Sequence, residues 1–148
     1  MYLIEREQFF PRPRHEVFAF FADAGNLSDI TPEFLHFKIL TPLPLEMKEG
    51  AILDYKLRLF GMPVKWRTRI EEYVENEHFI DMALKSPYRR WHHTHTFEDK
   101  NGGTLMRDRV EYLMPFGPIG KLTRAVVVRR LLERIFDYRY EVMARRFG

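Results

Sequence analysis

Cysteine is absent from this 148-residue chain, which removes disulfides, thiol nucleophiles and cysteine-based zinc sites from consideration. No apolar run approaches the ~18 residues a membrane-spanning helix needs. The opening Met1-Tyr2-Leu3-Ile4-Glu5-Arg6-Glu7 turns charged at once and lacks the basic and apolar regions of a secretory signal, so a soluble, cytoplasmic chain is expected. A nucleophile elbow, a glycine-rich phosphate loop and a dinucleotide fingerprint are all missing. Their absence leaves no cofactor to expect and removes the commonest covalent and nucleotide-dependent routes to catalysis.

Bulky rings are abundant instead. Thirteen Phe and an aromatic content of 15% within a 45% hydrophobic chain suffice for one substantial core, so residues 1–148 are expected to form a single domain. Net charge is +3 with a pI near 9.2, a mild excess that says little by itself. Its distribution says more. The outward positions of the strands carry Lys56, Arg58, Lys65, Arg67, Arg69, Arg107 and Arg109, and the last helix adds Arg124, Arg129, Arg130, Arg134, Arg139, Arg145 and Arg146. Glu133, Asp137 and Glu141 are i,i+4 partners for part of that set. A surface of this kind suits a solvated face, or peripheral contact with an anionic membrane. Nucleic acid is not expected, because the aromatic residues that would stack on bases fall on inward positions.

Tyr2–Phe10 reads as a strand stopped by Pro11-Arg12-Pro13. From Arg14, Val17, Phe18, Phe20 and Phe21 follow helical spacing, with Pro13 suited to the first turn. Ala24-Gly25-Asn26 breaks that helix, and Leu27–Thr31 reads as a second short one before Pro32. Alternating segments follow over Phe34–Ile39, Ala51–Phe60, Val64–Glu71, His78–Lys85, Arg90–Glu98 and Thr104–Met114. Gly61-Met62-Pro63 and Glu75-Asn76-Glu77 supply turns. Pro115-Phe116-Gly117-Pro118 stops the sheet, and Ile119–Phe147 reads as a long amphipathic helix with Leu122, Ala125, Val128, Leu132, Ile135, Phe136 and Met143 on its apolar face. Consecutive strands with short turns imply an antiparallel meander, and its dry face needs this helix as cover.

This order, together with Val17-Phe18-Ala19-Phe20-Phe21-Ala22-Asp23-Ala24, Asn26-Leu27, Ile30-Thr31-Pro32, Trp66, Ser86-Pro87-Tyr88, Trp91, His93, His95, Phe97, Asp108, Val110, Tyr112 and Pro115-Phe116-Gly117, resembles the START/birch-pollen-allergen (SRPBCC) superfamily in its polyketide cyclase/dehydrase-like and coenzyme Q-binding-like branches. Ser86 stands where similar sequences often have glycine. The resemblance implies an α+β helix-grip fold, in which a curved antiparallel sheet of about seven strands wraps a long C-terminal helix around a cavity for hydrophobic ligands. It spans lipid and sterol carriers, quinone-binding chaperones and aromatase/cyclases.

The histidine-rich stretch Arg90–Phe97 holds the chemistry. As a strand it places Trp91, His93, His95 and Phe97 on the face of the large rings, with His92 opposite. Asn101-Gly102 is the strongest short hairpin signal, and taking it as the turn sets Phe97 against Met106, His95 against Asp108, His93 against Val110 and Trp91 against Tyr112. Asp108 is thereby an acid on a dry face, which calls for a partner: His95 directly opposite, or His93 two residues away. His93 and His95 with Asp108 would be chemically adequate for Zn or Fe(II). No further convergent His or Glu is identifiable, and no metal is expected.

The same alternation offers Leu53, Tyr55, Leu57, Trp66, Thr68, Leu132 and Phe136 as further lining, Tyr55 and Tyr112 standing out because an inward hydroxyl needs a partner. The leading reading is a non-enzymatic protein that binds or carries a small hydrophobic or amphipathic molecule (lipid, quinone or polyketide-like), contacted by Tyr55, Leu57, Trp66, Trp91, His93, His95, Asp108, Tyr112, Leu132 and Phe136. The alternative is a cyclase/dehydrase-like enzyme using His95, Asp108 or His93 as general acid or base.

Overall fold

Two-residue turns set the sheet. Asn101 and Gly102 adopt φ of 48° and 78°, and Phe60 and Gly61 adopt 53° and 77°, the positive-φ pairs that let a tight hairpin follow the natural strand twist. The computed structural model describes residues 1–113 and 121–148, with residues 121–124 described by their backbone alone. The elements run β1 (Tyr2–Phe10), α1 (Arg14–Ala22), 3₁₀ helices at Ala24–Ile30 and Glu33–Leu35, β2 (Lys38–Ile39), β3 (Ile52–Leu59), β4 (Met62–Val74), β5 (His78–Lys85), β6 (Arg90–Lys100), β7 (Gly103–Leu113) and α2 (Lys121–Phe147). The strands form one antiparallel sheet in the order β1-β7-β6-β5-β4-β3-β2, a meander whose first strand returns to pair with its last. This is the expected α+β helix-grip arrangement. Among the described residues, no helix is long and apolar enough to cross a membrane.

The Asn-Gly register holds: Phe97 pairs with Met106, His95 with Asp108, His93 with Val110 and Trp91 with Tyr112. Elsewhere the boundaries move. The turn expected at Gly61-Met62-Pro63 is Phe60-Gly61, so Met62 already pairs with Leu59, and β4 runs on to Val74. The expected break at Ala24-Gly25-Asn26 lies inside the second helix, because the Asp23 carboxylate accepts the Gly25 N–H at 2.9 Å and starts the 3₁₀ turn there. The strand expected over Phe34–Ile39 shrinks to Lys38–Ile39, since Glu33–Leu35 coils and His36 is left-handed at φ 48°. Met114, the Pro115–Pro118 stop and the helix start at Ile119 lie outside the described residues.

The interior divides in two. Towards α1, Phe10, Phe18, Phe21, Phe79, Phe97 and Met106 pack with Met143 and Phe147 of α2, and Phe18 meets Phe97 edge-on at 5.1 Å. Each such ring contributes about 1.5–3 kcal/mol through burial. Towards the other end, Ile4, Val110 and Tyr112 pack on Val128, Leu132 and Phe136, beside Leu35, Leu57 and Trp66. Register shifts between β4 and β5 at Arg67/Thr68 and Ile70/Glu72 bend the sheet where it curls around this second half.

Gly103 ties β7 to β1 at the closed end. A Cβ there would overlap the Phe10 carbonyl oxygen and stand 2.7 Å from the Phe9 ring, whereas at Gly102 nothing lies in the way and only the positive φ opposes a side chain. Gly103→Ala is therefore expected to lose roughly 3 kcal/mol and Gly102→Ala about 1 kcal/mol in urea unfolding. Equal losses would show that the close approach of β1 does not limit this corner.

Candidate ligand-binding site

A belt of polar side chains crosses the interior between the two apolar halves. Arg6 of β1 lies opposite Asp108 of β7, Asp108 opposite His95 of β6, and His93 opposite Asp81 of β5. On α2, Val128, Leu132 and Phe136 face one half and Met143 and Phe147 the other. Arg139 falls between the two groups at the level of the belt.

Within it, two stacked imidazoles are clamped between two carboxylates. The His93 and His95 rings lie 3.7 Å apart. His93 Nε2 is 2.8 Å from Asp108 Oδ1, and its Nδ1 is 3.8 Å from Asp81 Oδ2. His95 runs the other way, with Nε2 2.6 Å from Asp81 Oδ2 and Nδ1 3.2 Å from Asp108 Oδ1. The last contact is off-axis, so His95 Nδ1 makes no hydrogen bond. Phe79 stacks on the outer face of His95 at 4.1 Å, and Phe136 meets His93 edge-on at 5.7 Å.

Burial opposes charge on every member of this cluster, and proximity decides who keeps it. For Asp108, the hydrogen bond from His93, the close approach of His95 and the charges of His93 and Arg139 outweigh burial and hold the carboxyl well below its usual range. Asp81 is likewise held low, against burial, by the two imidazoles and Arg139. Burial also acts against charged His95, but its hydrogen bond with Asp81 and the nearness of both carboxylates prevail and raise its pKa. Burial and the neighbouring His95 push His93 down despite the two carboxylates. The two rings are thus displaced in opposite directions, and His95 is the one that takes up a proton first as pH falls.

The belt forms the floor of a cavity of about 170 Å³. Leu53, Tyr55, Leu57 and Leu59 of β3 line it with Trp66 and Thr68 of β4. Trp91, His93 and His95 continue the wall on β6, and Leu131, Leu132, Ile135, Phe136 and Arg139 close it from α2. Trp66 and Trp91 meet at 5.3 Å, nearly perpendicular, and the Trp66 indole N–H is satisfied by Thr68 Oγ1 at 3.0 Å. Burial pushes the Tyr55 phenol pKa up, helped by the Asp81 charge, so Tyr55 is a neutral hydroxyl. Its ring stacks on Trp66 at 5.9 Å.

Of the residues the sequence nominates, Tyr55, Leu57, Trp66, Trp91, His93, His95, Leu132 and Phe136 reach the cavity wall, while Asp108 and Tyr112 do not. Asp108 sits behind the imidazoles. Tyr112 is fully buried and stacks on Tyr2 at 5.4 Å, because its strand is covered by α2 at a point beyond the opening. Of the two partners the sequence offers Asp108, His93 makes the hydrogen bond and His95 stays as a close neighbour. Asp108 hydrogen-bonds His93, and His95 hydrogen-bonds Asp81. Asp81 was legible in principle, since Phe79, Asp81 and Ala83 alternate with Ile80 and Met82. Arg139, placed with the outward arginines by sequence, turns inward three residues after Phe136. Leu27, Leu35, Phe37 and Met47 of the 24–47 segment also line the cavity; the alternation over Phe34–Ile39 marks Leu35 and Phe37 as one apolar face, and Met47 carries no such signal.

Among the described residues, Asp81, His93 and His95 form the one group whose donor atoms lie close enough, within 4.8 Å of one another, to share a metal ion. Those atoms already serve each other, and Arg139 adds a positive charge at the same spot, so a dication would have to displace the His95 proton and sit beside a guanidinium. The donor set does not favour a metal. Outside the sheet, much of the basic character is paired: Arg67 with Asp54, Arg107 with Glu7 and Glu98, Arg109 with Glu5 and Glu111.

Solved structures with this architecture are numerous. A Thermus thermophilus protein, TTHA0849, superposes with a TM-score of 0.72 at 17% identity, covering 97% of this chain and 98% of its own. The Zhui aromatase/cyclase from Streptomyces sp. R1128 gives 0.67 at 12% identity, over 95% of this chain and 90% of its own. A nucleoside-diphosphate sugar epimerase from Corynebacterium glutamicum gives 0.61 at 25% identity, over 88% of this chain but only 30% of its own. No curated protein sequence matches significantly. Residues 1–148 match the family described as polyketide cyclase / dehydrase and lipid transport, and the chain belongs to that family within the START/SRPBCC superfamily.

Proposed function

We propose that this chain binds or carries a small hydrophobic or amphipathic molecule in the cavity between β3–β6 and α2, the apolar body against Leu57, Trp66, Trp91 and Leu132 and the polar end towards Asp81, His93 and His95. One observation carries this: an apolar chamber with polar groups gathered at one end, which is the usual make-up of a small-molecule site. Its volume of about 170 Å³ compares with the roughly 150 Å³ of an apolar cavity that admits benzene. The body held there is of the order of a single aromatic ring or a short stretch of chain.

The same cluster supports cyclase/dehydrase-like acid–base chemistry as a second reading, on the observation that two touching imidazoles are displaced in opposite directions. That separation gives one protonated and one neutral ring at the same pH.

A carrier must also meet the compartment that holds its ligand, and the β3–β4 hairpin suits an anionic membrane. Phe60 and Met62 at its tip are 67% and 66% exposed, and Phe60 holds a bulky side chain at positive φ. On the outer face behind them Lys56 stands directly opposite Lys65, a like-charge pair that an anionic surface relieves. Each such residue contributes about 1 kcal/mol near anionic lipid.

Native mass spectrometry of protein purified from cells is expected to show a bound small molecule. Calorimetric titration with 4-ethylphenol or indole is expected to show one site per chain, lost in Leu57→Trp. Absence of any cell-derived ligand together with no uptake of either ring compound would sink the binding proposal.

The imidazole cluster sets a pH signature. Because the folded His95 pKa is raised above 6.5, its proton stabilises the fold fully below that value, and the contribution disappears as pH rises through the folded pKa. His93 is depressed below 6.5, so its contribution is present above that value and is lost as pH falls. The thermal deficit of His95→Gln should accordingly shrink with rising pH, and His93→Gln should lose less than wild type on acidification. If NMR titration found both rings ionising together at their ordinary pKa, the acid–base reading would have no basis.

Vesicles test the hairpin. Co-sedimentation is expected with phosphatidylserine-containing vesicles and not with phosphatidylcholine alone, and Phe60→Ser/Met62→Ser should release the protein. Equal binding to both compositions, or none to either, would remove the membrane from the proposal.

A further inference from the structure

Arg139 is the group in the site whose hydrogen-bonding capacity is left over. Its side chain is only 14% exposed, and it stands on the cavity wall. Its Nε and Nη1 are buried and have no hydrogen-bond partner among the described residues. The nearby carboxylates make no hydrogen bond to it, and each gives an oxygen to a histidine. Asp108 Oδ1 lies 3.8 Å from Arg139 Nη1, beyond hydrogen-bond reach, and that same oxygen receives His93 at 2.8 Å. Asp81 is engaged by His95 at 2.6 Å. The Phe136 ring lies 5.2 Å from the guanidinium carbon, which steadies the charge but accepts no directed N–H bond.

A guanidinium carries five N–H donors in a planar fork, and donors removed from water without acceptors are costly. The two aspartates neutralise this cation at longer range, and neither satisfies its fork. What completes it is an oxygen arriving through the cavity, and the partner that best matches a fork is a carboxylate, which accepts two parallel bonds. We infer that Arg139 receives the acidic oxygen of the ligand, so that the molecule held here is an amphipathic acid: a ring or short chain against Trp66, Trp91 and Leu57, with its carboxylate against α2. The inference rests on the cavity-binding proposal and narrows it from hydrophobic molecules in general to carboxylic acids. A guanidinium that served only as a distant counter-ion to Asp108 would give no preference among ligands.

The test compares two probes of one shape, 4-ethylbenzoate and 4-ethylbenzyl alcohol, by calorimetry and ligand-observed NMR at neutral pH. Wild type should bind the benzoate roughly tenfold more tightly, the size of one charge-assisted bond beyond a neutral one. Arg139→Met should lose that preference while retaining the alcohol, and Arg139→Lys, which keeps the charge but not the fork, should fall between. Equal affinity of wild type for the two probes overturns the assignment whether or not the variants fold, and so does a preference that survives in Arg139→Met. Failure of both probes to bind overturns the cavity-binding proposal as well, and binding of the alcohol without preference overturns Arg139 alone.

Discussion

A carboxylate taken out of water must be neutralised or hydrogen-bonded, and Asp108 meets that requirement by holding two stacked imidazoles in place. Much of the interior follows from this demand. His93 and His95 are two residues apart on one strand, so both rings face inward and stack. Asp81 on the next strand closes the far side of the stack and takes the His95 N–H. Breaking any member leaves a buried charge or donor uncompensated, typically a loss of several kcal/mol. The cluster therefore favours one register of β5, β6 and β7 over its neighbours, since a one-residue shift of any of these strands would turn its own members of the cluster to the outside.

The belt also explains why one half of the interior is solid and the other hollow. On the α1 side, helix and sheet bring phenylalanine rings together from both layers, and Met143 and Phe147 of α2 fill what remains. On the other side the cover is the irregular 24–47 segment, whose 3₁₀ turns and two-residue strand line the space without the regular packing of a helix on the sheet. Space remains there because the belt cannot be filled by apolar packing without orphaning its polar atoms. A cavity with a polar floor is the geometric result of a full core ending at a buried ion cluster.

How much of this was legible in sequence depends on how local the determining interaction is. Period-two alternation and the Asn101-Gly102 turn were enough for the β6–β7 register and for the inward placement of His93, His95 and Asp108, because hairpin pairing follows from the turn itself. Which of the two imidazoles takes the Asp108 hydrogen bond was not legible. It depends on Asp81, which arrives through the β5–β6 contact, and on the lateral lean of each ring along its strand. Arg139 was missed for another reason. An arginine in a basic helix looks like solvent-facing charge, and its direction is decided by three-residue spacing from Phe136 and by carboxylates distant in sequence. The two-residue β2 departs from its apolar alternation because Asp23 capping and a left-handed His36 commit the chain to turns first.

The orientation of the imidazole nitrogens bears on what the site can do. Each of the four points towards a carboxylate: His93 towards Asp108 and Asp81, His95 towards Asp81 and Asp108. A histidine acting directly as general base presents a free lone pair to the reacting atom, and here the rings offer the cavity their edges and faces instead. Asp81, whose side chain is 18% exposed, is the member of the cluster that both touches the imidazoles and lines the chamber. Asp81, held low against burial by the imidazoles and Arg139, presents the chamber with an acceptor, and Arg139 presents it with donors. His93 and His95 set the charge of the site, and under the binding proposal the ligand's polar end meets them together with Asp81 and Arg139, a pair of opposite charge. Such a pair orients a ligand bearing both a donor and an acidic acceptor, which is a requirement of recognition.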